Sequence, residues 1–299
     1  MRKAICFGEV LWDIFPSGKV IGGAPLQVAA RLSSLGVPSR IVSKIGNDAE
    51  GRTLLQNIQN LNLTGVYVKI DQNFPTGEAI VHFDDNGEAV YDVKSPAAWD
   101  HIELTEEIVN AVSAADIFVY GSLAARSEVS KNSLYKLLDI AKYKVFDVNV
   151  RKPFCDMDEI VKLMRKADLI KLNETELRYL AKHLGADNES LELNILFLSE
   201  YTETAQICVT RGTNGAVLLT GEQLYSHPGF EVDIVDTISS GDNFLAALLS
   251  KIMDCETEED YNEALTFANA LGAVAATKKG PTSKISKDEV LQLIQGQLS

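Results

Sequence analysis

The stretch Asp236-Thr237-Ile238-Ser239-Ser240-Gly241-Asp242-Asn243-Phe244 places an acid at the start of a predicted buried helix. Apolar residues follow at helical spacing, at Phe244, Leu245, Leu248, Leu249 and Ile252. The helix should therefore begin near Ser240 or Gly241. The free N–H groups of such a first turn, at the positive end of the helix dipole, bind anions such as phosphate. Asp242 would lie beside that anion, where its carboxylate can accept a proton from an attacking hydroxyl.

The same residue types also occur in ordinary helix caps. Asp236 or Ser239 could cap the helix, and Asp242 could simply complement its dipole. Short motifs of this kind match often by chance, so the rest of the chain has to decide between these interpretations.

Length, composition and charge narrow the class of protein. The chain has 299 residues, 46% of them hydrophobic, which predicts a globular protein with a sizeable core. Its formal net charge is −14, without a basic block to offset it, so neither nucleic acid nor an anionic membrane surface is expected as a partner. Chemistry on a small molecule fits this composition better.

The cysteines and the N-terminal region indicate the cellular compartment. The four cysteines are far apart and follow no paired ligand spacing, which predicts neither a zinc site nor a disulfide framework. Charged residues come too early for a secretory signal, and no apolar run reaches about 18 residues. We therefore expect a cytoplasmic protein that is neither exported nor membrane-spanning.

Short apolar runs alternate with helical periodicities along the chain. Strands are predicted at 4–7, 40–44, 117–120, 145–148, 169–172, 207–210 and 216–219. Between several of these strands, apolar residues recur at helical spacing, which predicts helices. Examples are Val28, Ala29, Leu32 and Leu35, and Leu134, Leu137, Leu138 and Ala141. Alternating strands and helices predict an α/β fold with a parallel sheet covered by helices on both faces.

One region departs from this alternation. Residues 77–93 contain two strand-like runs around the turn 84–87, which predicts a hairpin. Together with an extended segment at 10–22, this hairpin could form a small sheet that closes over a ligand. Since no linker or repeat interrupts the chain, we predict one domain over 1–299 with a discontinuous β lid from about 10–22 and 66–100.

Further polar clusters follow predicted strands. Asp13 comes after the first strand, where parallel sheets bind ligands, and Gly23 belongs to a glycine pair that lets a ligand approach the backbone. Asp147, Asn149 and Arg151 alternate, so they could share one face at the end of another strand. Taken singly, Asp13 would be explained as a solvated loop acid and the glycine pair as an ordinary turn. Three polar residues on a core strand, however, would require partners or ligands.

Two more clusters leave alternatives open. Glu176 follows Asn173 by three residues, which fits either a helix cap or a site for hydrated magnesium. The segment Thr210-Arg211-Gly212-Thr213-Asn214-Gly215-Ala216 predicts a hairpin turn. The P-loop and dinucleotide-binding fingerprints are both missing from the sequence, which argues against those two nucleotide sites.

Taken in order, these motifs resemble the ribokinase-like, PfkB-type carbohydrate kinases, over nearly the whole chain. The resemblance rests on Gly8-Glu9 with Asp13, Gly22-Gly23-Ala24-Pro25, Lys44-Ile45-Gly46-Asn47-Asp48 with Gly51, Asp147-Val148-Asn149-Val150-Arg151, Asn173 with Glu176, Thr210-Arg211-Gly212, and the opening stretch from Asp236 to Asp242. The early Gly-Glu-Val-Leu-Trp-Asp and Gly-Gly-Ala-Pro runs are most similar to fructokinase-type members and 2-keto-3-deoxygluconate kinases.

The resemblance implies a ribokinase-like parallel sheet flanked by helices, with a small β-sheet lid that often forms a homodimer interface. It implies ATP and magnesium, and commonly potassium, for which Asp236 is our candidate. Carried onto this chain, the base is Asp242 and the anion hole is formed by the amides of Ser239, Ser240 and Gly241. The sugar side comprises Asp13, Gly23, Gln27, Asn149 and Arg151. The nucleotide side comprises Asn173, Thr210, Gly212 and Asn269, with Asn173 and Glu176 holding magnesium through water.

Two departures from the family pattern affect these expectations. Ser239-Ser240-Gly241-Asp242 stands where Gly-Ala-Gly-Asp is commoner, although serine keeps the backbone N–H groups. Gln27 stands where the family usually has Asn facing the sugar, so the substrate is less firmly indicated than the reaction. We expect a fructokinase; a kinase of 2-keto-3-deoxygluconate or another sugar is the alternative, followed by a non-catalytic sugar or nucleotide sensor.

Overall fold

The computed structural model describes residues 2–61, 63, 67–83, 89–186, 188–280 and 283–296. They form two compact units, which we describe separately. The first comprises the described residues of 1–142 and 151–155 with residue 280, and the second those of 143–150, 156–279 and 283–296. The single-domain organisation over 1–299 stays a prediction.

The first unit combines a parallel sheet with helices. Its elements are β1 (Ala4–Phe7), β2 (Leu11–Phe15), β3 (Gly18–Gly22), α1 (Ala24–Ser34), β4 (Ser39–Gly46), α2 (Ala49–Asn60), β5 (Val68–Asp71), β6 (Gly77–Phe83), β7 (Ala89–Val93), α3 (Glu106–Ala114), β8 (Ile117–Gly121) and α4 (Glu128–Leu138). Strands β5, β4, β1 and β8 lie side by side in that order, all parallel. All four residues of β1 are buried, as expected for a strand covered on both faces.

A separate four-stranded sheet in the first unit has the order β3-β2-β6-β7. Strand β2 pairs antiparallel with β3 and parallel with β6, and β6 pairs antiparallel with β7. The predicted strands of the 77–93 hairpin and the extended segment at 10–22 therefore form one small sheet. The predicted turn at 84–87 lies outside the described residues. The small sheet's proposed function as a lid stays a prediction.

The second unit contains the remaining elements. They are β9 (Lys144–Asp147), α5 (Met157–Met164), β10 (Leu169–Asn173), α6 (Glu174–His183), α7 (Leu191–Thr202), β11 (Gln206–Thr210), β12 (Ala216–Thr220), β13 (Gln223–His227), α8 (Ser240–Leu249), α9 (Glu258–Ala276) and α10 (Lys287–Ile294). Their strands lie in the order β9-β10-β11-β12-β13. The first three are parallel, while β12 and β13 continue the sheet antiparallel.

The predicted fold class is confirmed. All seven predicted strands are present within two residues of their expected ends, because each is a short apolar run that the sheet buries. Helix α8 begins at Ser240, as the apolar spacing predicts. Among the described helices, none is long and apolar enough to cross a membrane.

One local expectation is wrong. Strand β9 ends at Asp147, and Asn149 has a φ of 38°, in the left-handed region. Strand alternation therefore stops before Asn149, so Asp147, Asn149 and Arg151 do not share one face of an extended strand. Asn149 lies in the second unit and Arg151 in the first.

Candidate active site

The first turn of α8 carries the acid that the sequence singles out. Ser239 is the N-cap residue with a φ of 60°, and its side chain makes no capping hydrogen bond. Its carbonyl instead accepts hydrogen bonds from the backbone and side-chain amides of Asn243, at 2.9 and 2.8 Å. Asp242 is thus positioned in the first turn of the helix, where the dipole favours bound anions.

The backbone amides of this turn are not all equivalent. The amide of Ser240 donates to the carbonyl of Thr237 at 3.1 Å, closing a turn just before the helix. The amide of Gly241 makes no backbone hydrogen bond within the part of the chain that the structure describes. Gly241 is therefore the better placed of these two amides to bind an anion in this conformation.

Asp236 stabilises the loop that leads into α8. Its Oδ1 accepts a hydrogen bond from the amide of Ile238 at 2.9 Å. The amides of Val235 and Asp236 donate to the carbonyl of Ala276, at the end of α9, at 2.8 and 3.0 Å. Asp236 thus shapes the loop that precedes the helix. Its assignment to potassium stays a prediction.

A buried ion pair lies beside the start of α8. The Nζ of Lys171, in β10, is 3.1 Å from Oδ1 of Asp147, at the end of β9. Burial by itself would lower the pKa of Lys171, but the negative charges of Asp147, Glu176 and Asp242 raise it above its ordinary value. The ammonium of Lys171 therefore interacts with carboxylates from three different elements.

This ammonium also lies close to the backbone of α8. A Cβ placed on Gly241 would be 3.2 Å from Nζ of Lys171, closer than most real Cβ contacts. Two buried oxygens in the same region, Oδ2 of Asp147 and Oγ of Ser240, have no hydrogen-bond partner among the described residues. Buried polar atoms without partners are uncommon and mark sites where water or a ligand binds.

Asn173 and Glu176 form a reciprocal capping box at the start of α6. Oδ1 of Asn173 accepts from the amide of Glu176 at 2.8 Å, and Oε2 of Glu176 accepts from the amide of Asn173 at 2.9 Å. The other Glu176 oxygen, Oε1, accepts from the amide of Val150 at 2.8 Å. Burial raises the pKa of Glu176, an effect that Lys171 and these amides oppose. The capping interaction that the sequence suggested is therefore present.

The magnesium assignment of Asn173 and Glu176 was an alternative to capping and stays a prediction. Both Glu176 oxygens already accept a backbone amide, so contact through a bound water suits this carboxylate better than direct ligation. No cluster of three or more His, Cys, Asp or Glu side chains with metal-binding geometry occurs within the described ranges. Hydrated magnesium needs few protein ligands, so the residues fit an outer-sphere site.

The expected nucleotide residues lie on three elements of the second unit. Thr210 ends β11, where its Oγ1 donates to the carbonyl of Leu172 at 3.5 Å. Gly212 has a φ of 57° in the following turn, and a Cβ there would meet open space. Asn269 is buried in α9, with its side-chain amide donating to the carbonyl of Leu265 at 2.8 Å. Their contact with a nucleotide stays a prediction.

Two of the sugar-side residues of the first unit, Asp13 and Gly23, lie close to the start of α1. Asp13, in β2, is 6% exposed, and its carboxylate lies so close to Gly22 that a Cβ there would clash with it. Gly23 has a φ of 108°, and a Cβ on it would clash with the carbonyl of Glu9. The glycine pair therefore serves close packing around Asp13 and Glu9, which only residues without a side chain allow.

Gln27 and Arg151 also have contacts within the first unit. The Nε2 of Gln27 donates to the carbonyl of Ile21 at 2.9 Å, so part of its amide is used to fix β3 against α1. The guanidinium of Arg151 lies 4.8 Å from the ring centre of Tyr91, in β7. Arg151 thus stacks on the small sheet, which the sequence did not predict.

Sequence reasoning missed Lys171. A lysine in the middle of an apolar strand is a signal that could have been used, since a buried ammonium requires a partner. In the sequence, its partner Asp147 stands out only as one member of the alternating set Asp147, Asn149 and Arg151. The pairing of Lys171 with Asp147 depends on β9 and β10 being neighbours in the sheet. Neither strand's own sequence contains this information.

The geometry agrees with the comparisons to known proteins. The model of the "pfkB family carbohydrate kinase" matches residues 7–288. "Probable fructokinase-2" of Arabidopsis thaliana is 30% identical over 321 residues, covering 98% of this chain and 96% of the relative. The family match and this relative thus define a sugar-phosphorylating enzyme. The chain belongs to the pfkB family of carbohydrate kinases.

Solved structures share the fold over nearly their entire length. Fructokinase from Xylella fastidiosa with bound ATP has a TM-score of 0.88 at 24% identity, with 99% of each chain covered. A double mutant of fructokinase from Vibrio cholerae O395, with fructose, ADP and a potassium ion, has a TM-score of 0.85 at 22% identity and 98% coverage of both chains. At these identities the likeness concerns the fold.

Proposed function

We propose that this protein is an ATP-dependent fructokinase, which transfers the terminal phosphoryl group of ATP to a hydroxyl of fructose. The observation that carries the proposal is the start of α8, where Asp242 stands in the first turn beside the Gly241 amide. The Arabidopsis thaliana relative, named as a probable fructokinase, and the fructose in the Vibrio cholerae structure support this substrate.

In the proposed reaction Asp242 is the general base. It accepts the proton of the sugar hydroxyl as that oxygen forms a bond to the terminal phosphorus of ATP. The bond between this phosphorus and the bridging oxygen breaks, and ADP leaves with the electron pair. The anion hole, assigned to the amides of Ser239, Ser240 and Gly241, stabilises negative charge on the transferring group. In this conformation the Ser240 amide donates to the carbonyl of Thr237, so this hydrogen bond would have to break before the amide could bind the transferring group.

The metal and nucleotide assignments belong to the same proposal. Bound magnesium would neutralise charge on the phosphate oxygens, with Asn173 and Glu176 holding its waters. Potassium is assigned to the loop at Asp236, and the potassium ion of the Vibrio cholerae structure supports its use in this fold. Thr210, Gly212 and Asn269 are assigned to ATP, which the Xylella fastidiosa structure contains.

The assigned sugar residues suit a neutral sugar with several hydroxyl groups. Asp13 can accept hydrogen bonds from two neighbouring hydroxyls, and Gly23 and Gln27 lie at the same helix start. Asn149 and Arg151 complete the assigned set. An acidic sugar would need a cation for its carboxylate, for which Arg151 is our candidate. If Arg151 contacts the transferring phosphate instead, a neutral sugar such as fructose is preferred.

The small sheet completes the proposal. Closure of the regions 10–22 and 66–100 over the sugar would exclude water, which otherwise competes as phosphoryl acceptor. The same sheet is our candidate for a homodimer interface, and the cytoplasm is our proposed location.

A coupled assay of ADP formation tests the proposal directly. The purified protein is supplied with ATP, magnesium and, separately, fructose, glucose, ribose and 2-keto-3-deoxygluconate. We expect ADP formation to depend on the sugar, with the highest kcat/KM for fructose. A higher kcat/KM for 2-keto-3-deoxygluconate would favour the alternative substrate. Sugar and ATP binding without turnover would indicate a sensor, and would contradict the proposed enzyme.

A further inference from the structure

We propose that Lys171 is a positioning residue for phosphoryl transfer, whose buried ammonium holds the first turn of α8 in place and offsets the carboxylates beside it. This inference rests on the proposed function, since it assigns a role to a residue outside the assigned site. Three observations carry it: the contact with Gly241, the set of surrounding carboxylates, and the buried oxygens left without partners.

The first observation is the contact with the helix. With the position of a Gly241 Cβ only 3.2 Å from Nζ, the ammonium lies against the backbone of the anion-binding turn. The side chain of Lys171 is 9% exposed and that of Asp147 is 5% exposed, so water screens this charge little. A fixed positive charge at this distance influences any anion that the turn binds.

The second observation is the balance of charge. The ammonium of Lys171 lies 3.1 Å from Oδ1 of Asp147 on β9, and the negative charges of Glu176 on α6 and Asp242 on α8 also act on it. Without it, these negative charges would act unopposed on an anion bound at the turn, such as the terminal phosphate of ATP. Like charges at close range in a poorly solvated site repel strongly. Lys171 therefore reduces the repulsion that the phosphate meets.

The third observation is that two buried oxygens beside this turn lack hydrogen-bond partners among the described residues. Oδ2 of Asp147 and Oγ of Ser240 are buried without partners within the described part of the chain. A purely structural ion pair normally satisfies its remaining lone pairs, because polar atoms that are buried and unpaired destabilise the fold. Two such atoms beside the turn indicate a site completed by water or by a bound group.

If the pair of Lys171 and Asp147 only stabilised the fold, neutral residues could replace both partners without loss of turnover. Exchanging both charged partners for neutral residues of similar size is often nearly neutral for stability, whereas removing one partner leaves a buried charge. The critical comparison is therefore between Asp147→Asn alone and the double variant Lys171→Met with Asp147→Asn. The two proteins differ only by the ammonium, and neither retains an unpaired Asp147 carboxylate.

The same two strands provide a matched control. At the opposite ends of β9 and β10, Nζ of Lys144 lies 3.0 Å from Oδ2 of Asp168. Lys144→Met removes an ammonium from an ion pair between these strands, away from α8. We expect it to change kcat less than threefold.

The experiment measures kcat and KM for fructose and ATP, together with binding of ADP and the non-hydrolysable ATP analogue AMP-PNP by calorimetry. We expect the double variant to unfold within a few degrees of Asp147→Asn and to have a kcat about 10 to 100 times lower, with KM for fructose within threefold. Its affinity for AMP-PNP relative to ADP should fall at least fivefold, because the extra phosphate meets the uncompensated acids.

The inference would be overturned if the two variants had equal kcat and the same ratio of AMP-PNP affinity to ADP affinity. Lys171 and Asp147 would then form an ion pair with a structural role only. If the wild-type protein phosphorylates no sugar, the proposed function fails, and the binding ratio alone then decides the inference: a reduced ratio supports it, and an unchanged one overturns it. If the double variant does not fold, Lys171→Gln replaces Lys171→Met in the same comparison. Failure of both variants to fold would show that Lys171 is required for folding and overturn the positioning role.

Discussion

Gly241 and Lys171 meet where the anion-binding turn of α8 lies against β10. A methyl group on Gly241 would be 3.2 Å from Nζ and 4.0 Å from Cε of Lys171. Lys171 is held by Asp147 in a buried pair, so its head group has little freedom to retreat. The side chain of Lys171, which comes from β10, therefore explains why residue 241 is a glycine.

Gly241→Ala should lower turnover about 5- to 50-fold with little loss of stability. Alanine is favoured over glycine inside helices, but here its methyl group would push the Lys171 ammonium back by a few tenths of an ångström. The measurement is kcat with fructose together with Tm. Gly272→Ala in α9 is the control, because its methyl would lie at an ordinary 3.5 Å from Phe244 and Ser240. Similar kcat in both variants would contradict this explanation of Gly241.

Asp242→Asn should lower kcat by about two to four orders of magnitude, as expected when a general base is lost. Affinity for ATP should change little, because the amide retains the shape of the carboxyl group. Steady-state kinetics and calorimetric ATP binding provide the measurements. Turnover close to that of the wild type in the purified variant would refute the assignment of Asp242 as the base.

Glu176→Gln should raise the magnesium concentration needed for half-maximal activity and also lower Tm by several degrees. Each Glu176 oxygen accepts a backbone amide, from Asn173 and Val150, and the NH₂ group of glutamine cannot accept either bond. Losing one buried hydrogen bond costs about 1 to 3 kcal/mol. Magnesium titrations of activity and thermal unfolding provide the two readouts.

A control separates capping from metal binding at Glu176. Asp260 occupies the equivalent position of the exposed capping box that begins α9, with Thr257 as its partner. Asp260→Asn should lower Tm slightly and leave the magnesium titration unchanged. If Glu176→Gln behaves in the same way, Glu176 is a cap alone and its magnesium role is wrong.

Fructose should give a higher kcat/KM than 2-keto-3-deoxygluconate. Arg151, which lies over the ring of Tyr91, is the only cation among the assigned sugar residues. If it contacts the transferring phosphate, none of these residues can pair with a substrate carboxylate, and a neutral sugar is preferred. Arg151→Ala tests this by kinetics and by direct binding of both sugars. A preference for the acidic sugar that Arg151→Ala abolishes in binding as well as in turnover would show that Arg151 recognises a carboxylate. Tyr91→Leu, which removes the ring and keeps the arginine, is the companion variant.

Much of the second unit could be predicted from local pattern. The hairpin of β11 and β12 and the start of α8 depend on residues close together in the chain, where apolar spacing and turn chemistry suffice. The capping box of Asn173 and Glu176 was one of two interpretations of a spacing of three residues. The hydrogen bond from Val150 to Glu176 could not be foreseen, since 26 residues separate them.

Sequence pattern alone determined the α/β class, the helix beginning at Ser240 and the acid in its first turn, because short-range periodicity and helix-end chemistry specify these features. Tertiary structure alone decided that Lys171 pairs with Asp147, that this pair lies against Gly241, and that Asn149 leaves the extended conformation. The physical reason is that strand neighbours and buried charge partners depend on how distant segments pack, and an ammonium in an apolar strand shows only that a partner must exist.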